Sequence, residues 1–75
     1  MEEHERELIL KLSHSNRLLR ELYEEHLFLD DIISKYESKP YITPDEELET
    51  KRLKKKKLLG VDRMMAIIHD QRVSH

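Results

Sequence analysis

The sequence predicts an all-α fold, an antiparallel two-helix hairpin of coiled-coil character, and three observations carry that expectation. Helix breakers are nearly absent: 75 residues hold one glycine and two prolines, and 40% of the chain is charged. The first half repeats its apolar residues with heptad spacing. Between the halves lies a proline-bounded break followed at once by a strong helix start.

Stepping by four and three from Leu8 gives Leu12, Ser15, Leu19, Leu22, His26, Leu29, Ile33 and Tyr36. Seven of these nine positions are apolar, against about three expected from a 37% hydrophobic composition. Such spacing lines one side of a helix. Ile9, Leu18, Tyr23 and Ile32 lie beside the seam and widen it beyond the narrow stripe of a two-stranded coil. One helix is therefore expected from about residue 4 to 37.

The break is Glu37-Ser38-Lys39-Pro40-Tyr41-Ile42-Thr43-Pro44. Each proline biases the preceding residue away from the helical region, which ends the first helix near Ser38. Thr43-Pro44-Asp45-Glu46 then reads as a start: Thr43 caps, Pro44 suits the first helical position, and Glu46 bonds back to the Thr43 amide. Asp45, Glu46 and Glu47 favour the positive end of the helix dipole. The second helix is expected from Pro44 to about Asp70 or Arg72, with Val73-Ser74-His75 fraying. On it, Leu53, Val61, Met64, Met65, Ile67 and Ile68 fall on one broad face. Gly60 interrupts that face, and the helix either runs through it or kinks there.

A short connection makes the helices antiparallel neighbours. Folding about Tyr41 sets Leu29 against Leu53, Leu22 against Gly60, Leu19 against Met64 and Ser15 against Ile67. Gly60 would then make room for a large side chain from the Leu22–Tyr23 pair. A single hairpin of this size buries little, so two hairpins are expected to pair as a four-helix bundle, a homodimer.

Composition excludes several classes of function. Without cysteine there is no disulfide, thiolate metal site or cysteine nucleophile. The longest apolar run, Met64 to Ile68, is far short of a membrane span. The beginning, Met1-Glu2-Glu3-His4-Glu5-Arg6-Glu7, is acidic where a secretory signal is basic and then apolar, so a cytoplasmic location is expected. One glycine forbids a glycine-rich phosphate loop, and a narrow hairpin offers no cleft for catalysis. No enzymatic activity, cofactor or small-molecule substrate is expected.

His26 is a titratable group in the apolar seam. Asp30, one turn on, is placed to hold its ring, and the expected register brings Lys57 alongside. The favoured reading is a buried His26–Asp30–Lys57 layer that fixes register at some cost in stability. A pH- or metal-responsive switch is the sharper alternative. His4, His14, His69 and His75 read as surface residues, with His14 approaching His69 near the open end. Core packing is assigned to Leu8, Leu12, Leu19, Leu22, Leu29, Ile33, Leu53, Met64 and Ile68.

Lys51-Arg52-Leu53-Lys54-Lys55-Lys56-Lys57 concentrates six basic residues in seven. Net charge is −4 over residues 1–39 and +2 over 40–75. Pairing of the run with Glu21, Glu24, Glu25, Asp30 and Asp31 of the first helix is expected. The alternative is a nucleic-acid accessory using Lys51, Arg52, Lys54, Lys55 and Lys56. It is disfavoured because the cations spread around the helix without aromatics to stack bases.

His26-Leu27-Phe28-Leu29-Asp30-Asp31-Ile32-Ile33, followed by Glu37, resembles the His-x-x-Leu-Asp-x-x-Ile motif of the YdcH-like family of short bacterial proteins. Leu53-Lys54-Lys55-Lys56-Lys57-Leu58, then Asp62 and Met64, is similar to that family's second motif, Leu-Lys-Lys-x-Lys-Leu-x-x-x-Asp-x-Met. Together the motifs and their flanks cover roughly residues 4–70. The resemblance implies a small bacterial cytoplasmic protein, a helical hairpin and no assigned activity. It marks His26, Asp30, Lys54, Lys55 and Lys57 as the matching polar positions. Gly60 departs from the pattern, where a larger residue is usual. The functional expectation is a protein that acts through helix–helix contact with itself or another protein.

Overall fold

The computed structural model describes residues 2–73, and the side chains of residues 2–70. Among the described residues the chain is helical in three pieces rather than two: α1 (Glu3–Leu12), α2 (Arg17–Glu37) and α3 (Pro44–Val73). Among the described residues there is no strand.

The expected first helix of residues 4–37 is interrupted at Ser13-His14-Ser15-Asn16, and the cause is local side-chain chemistry. Ser13 Oγ donates to the Leu10 carbonyl at 2.8 Å, and Ser15 Oγ donates to the Leu12 carbonyl at 3.3 Å. Asn16 leaves the helical region (φ −128°, ψ 102°), and its Oδ1 accepts from the Leu19 amide at 3.0 Å. These short polar residues offer the backbone partners that compete with a continuing helix. Asn16 is among the best N-caps. Ser15, given a seam position opposite Ile67, is exposed instead.

α2 stops as expected. The Ser38 amide still donates to the Ser34 carbonyl at 3.0 Å, and Ser38 Oγ donates to the Lys35 carbonyl at 3.0 Å. α3 begins with the capping box. The Glu46 amide donates to Thr43 Oγ1 at 3.1 Å, while the Thr43 amide donates to Glu46 Oε1 at 3.0 Å. The helix then runs unbroken through Gly60 to Val73, one residue into the expected frayed end; Ser74 and His75 lie outside the described residues.

α3 runs back along α2. Near the loop Lys54 meets Glu37 and Lys57 meets Asp30, whereas at the other end Leu19 and Tyr23 share a core with Met64 and Ile68. Asp30 meets Lys57, as the expected polar layer requires, and Leu19 shares a core with Met64. Gly60, expected to make room for Leu22 or Tyr23, does not. A Cβ added there would meet nothing within 4 Å.

α1 does not extend the line of α2. It turns back over the open end, so that Ile9 packs with Leu19, Tyr23, Met64 and Ile68, and His4 and Glu5 lie beside Met65, Ile68 and His69. Ile9, Leu19 and Met64 are wholly buried. The molecule measures 50 × 20 × 16 Å, its length set by α3.

Candidate functional site

Two features of the α2–α3 pair are candidates for function: the polar layer at His26 and the surfaces flanking the core. The structure brings His26, Asp30 and Lys57 together, although not as a sealed layer. Lys57 Nζ donates to Asp30 Oδ1 at 2.9 Å, and the Asp30 side chain is 55% exposed. Asp30 therefore holds Lys57 rather than the His26 ring. His26 is half-buried, its ring stacked on Tyr23 at 6.2 Å, and its Nδ1 is enclosed without a hydrogen-bond partner.

The electrostatics follow from that placement. Burial lowers the His26 pKa from its ordinary 6.5; Asp30 opposes the shift, and the cations Lys57 and Arg6 reinforce it. The hydrogen bond and charge of Lys57 hold the Asp30 carboxyl below its ordinary value. A neutral imidazole is thus favoured at the centre of the pair. Arg6, on α1, contributes in a minor way to both shifts.

The expected core residues occupy the inner surface to different depths. Leu19, Leu29, Ile33, Met64 and Ile68 are buried; Leu8, Leu12, Leu22 and Leu53 are half-buried. Ile9 and Tyr23, placed beside the seam by heptad counting, lie deeper than Leu8 and Leu22 because they form the core shared by the three helices with Leu19, Met64 and Ile68. Ser13 and Thr50 are buried polar residues that periodicity alone does not reveal. Both hydroxyls donate back to their own helix, Thr50 to the Glu46 carbonyl at 2.8 Å.

The basic run divides into two sets. Lys51, Lys54 and Lys57 approach Glu47, Glu37 and Asp30 at 3.8, 2.8 and 2.9 Å. Of the acidic partners expected on the first helix only Asp30 serves. Glu21 pairs with Arg17 and Asp31 with Lys35, each one turn away on α2. Arg52, Lys55 and Lys56 make no ion pair among the described residues.

An apolar hollow opens between α2 and α3, lined by Leu18, Leu22, Arg63, Ala66 and Ile67. It lies on the side away from α1. On α3 the residues against α1 are Met65 and His69, while the hollow takes Arg63 and Ile67. Two positions along a helix turn about 200° around its axis, so these are nearly opposite sides. Leu18 stays 57% exposed there. The residue types of the hollow were in view in the sequence, but its position depends on where α1 lies.

At the open end His69 lines a hollow with His4. Among the described residues no three His, Asp or Glu side chains come together as metal ligands. No helix among them is long and apolar enough to cross a membrane.

No curated protein and no solved structure matches the chain. A family model described as "Protein of unknown function (DUF465)" matches residues 19–68, which takes in α2 from Leu19, the loop and α3 as far as Ile68. The matched span holds His26, Asp30, Lys57 and most of the hollow, and leaves out α1. This agrees with the YdcH-like motifs at His26–Ile33 and Leu53–Met64, and the chain belongs to the DUF465 family.

Proposed function

We propose that this chain is a non-enzymatic cytoplasmic protein that works by offering an α-helical surface to another protein. The α2–α3 pair is the working unit, a helical hairpin, and α1 closes one of its faces. The observation that carries the reading is the hollow lined by Leu18, Leu22, Ala66 and Ile67, left open on the face away from α1. Apolar side chains in helical register lose stabilisation while they face water. Apolar side chains left open between two helices offer a further helix a place to pack.

A photo-crosslinking residue in place of Leu18, introduced in the native cell, tests this. Protein adducts are expected from Leu18, and none from Leu10, which is 45% exposed on α1. Absence of protein adducts from Leu18 would contradict the reading.

The unpaired Arg52, Lys55 and Lys56 support a second reading, a nucleic-acid accessory. A mobility shift that weakens steeply with salt and disappears in Lys55→Glu with Lys56→Glu would favour it. No shift at low salt would remove it.

A further inference from the structure

We infer that the open hollow receives a second copy of this chain, with α2 of each protomer lying antiparallel on α3 of the other. The inference rests on the helix-interaction reading and names the occupant of its surface.

The argument begins with the two stripes that border the hollow. On α2 the row of Leu18 and Leu22 continues to Glu25, seven residues from Leu18, with Glu21 at its edge. On α3 the row of Ile67 and Arg63 continues back through Gly60 to Lys56, with Arg52 one turn further. The face is therefore apolar along its middle, with Glu25 on its α2 side and Arg63, Lys56 and Arg52 on its α3 side. Glu25, Lys56, Arg63 and Arg52 are exposed, and none has an ion-pair partner among the described residues.

Such a face complements itself in one orientation. A two-fold axis parallel to the helices carries α2 onto the partner's α3 and sets acid against base at each contact. An axis across the helices would stack α2 on α2 and bring Glu25 toward its own copy. Charge complementarity of this kind selects orientation and partner. Heights along the bundle also agree. Leu22 and Arg63 line the same hollow, and Glu25 lies one turn from Leu22 toward the loop. A parallel axis preserves height, so Glu25 of one protomer arrives at the partner's Arg63, twice per dimer.

α1 covers the opposite face at the open end, and a two-fold pairing through the free face closes at two copies.

Charge reversal gives the test, because both residues are exposed and their substitution leaves the core intact. Sedimentation of the native chain across the micromolar range should show a dimer. Glu25→Lys and Arg63→Glu should each weaken it by about tenfold or more, since each sets like charges together twice. An equimolar mixture of the two variants should recover dimerisation as a mixed pair, resolved by native mass spectrometry, because both contacts are then opposite in sign. A monomeric native chain, variants that dimerise like the native chain, or a mixture that fails to recover would each overturn the inference. A monomer that still crosslinks to another protein through Leu18 would end self-pairing and leave the interaction reading standing.

Discussion

The open end of the molecule is three helices thick and the loop end is two, and the ends are held together differently. At the open end Ile9, Leu19 and Met64 exclude water completely, and Tyr23 and Ile68 complete the cluster. At the loop end Leu29 and Ile33 are buried between α2 and α3, without a third helix above them. Charge surrounds them: Asp30 with Lys57, Glu37 with Lys54, and Lys39 with Glu46. Burial of apolar surface stabilises far more than exposed ion pairs, which contribute about 0–1 kcal/mol each. Stability should therefore concentrate at the open end, while the loop-end charges set which residues of α2 and α3 meet.

The sharpest way to break that contrast is Leu19→Ala. Removing a wholly buried side chain from the three-helix cluster should cost about 2–5 kcal/mol, a large part of what a domain of this size holds. Urea unfolding followed by circular dichroism measures it. A loss below that of Lys57→Ala would overturn the assignment of stability to the open end.

Asn16→Ala comes next. It removes the acceptor for the Leu19 amide and should cost about 1 kcal/mol. If α1 and α2 were one helix, alanine would stabilise instead, so the sign decides.

Gly60→Ala should raise stability by about 0.5–1 kcal/mol, because the helix is continuous there and the new methyl meets nothing within 4 Å. A destabilised variant would restore the view that Gly60 makes room for a neighbour.

The smallest effect expected is the pH dependence of the polar layer. Burial holds the His26 pKa below its ordinary 6.5, so the unfolded chain takes up that proton first. The stability tied to neutral His26 is whole above that value and declines as the pH falls through it toward the lower folded value. The Asp30 carboxyl is held below its ordinary 3.8, so its contribution is lost at still lower pH. Melting temperature in the weakly acid range should fall in the native chain and stay flatter in His26→Leu. Equal slopes would remove His26 from the account.

Much of this was legible before the structure. Thr43-Pro44-Asp45-Glu46 specifies the start of α3 through interactions within four residues, and the capping box forms as expected. Heptad spacing located Leu19, Leu29 and Ile33 because a helical period is local. It failed at Ser13–Asn16, where Ser15 passed as a tolerated interruption although Ser-His-Ser-Asn is also a stop and a cap. The register depended on contacts distant in sequence. A turn near Tyr41 was enough to set Leu19 with Met64 and Lys57 with Asp30, but not to show that Gly60 faces open space. The open hollow was invisible for the same reason: which face stays free is decided by the direction α1 takes after the break.

That direction is measured most directly by a spin-label distance between Arg6 and Leu27, in chain diluted with unlabelled protein. A single helix through Ser13–Asn16 would hold the two backbone positions about 32 Å apart. The structure packs Ile9 with Leu19 and Tyr23 and sets His4 and Glu5 beside Met65 and Ile68, so a separation well short of that is expected. The longer distance would contradict the three-helix open end, and with it the assignment of the free face.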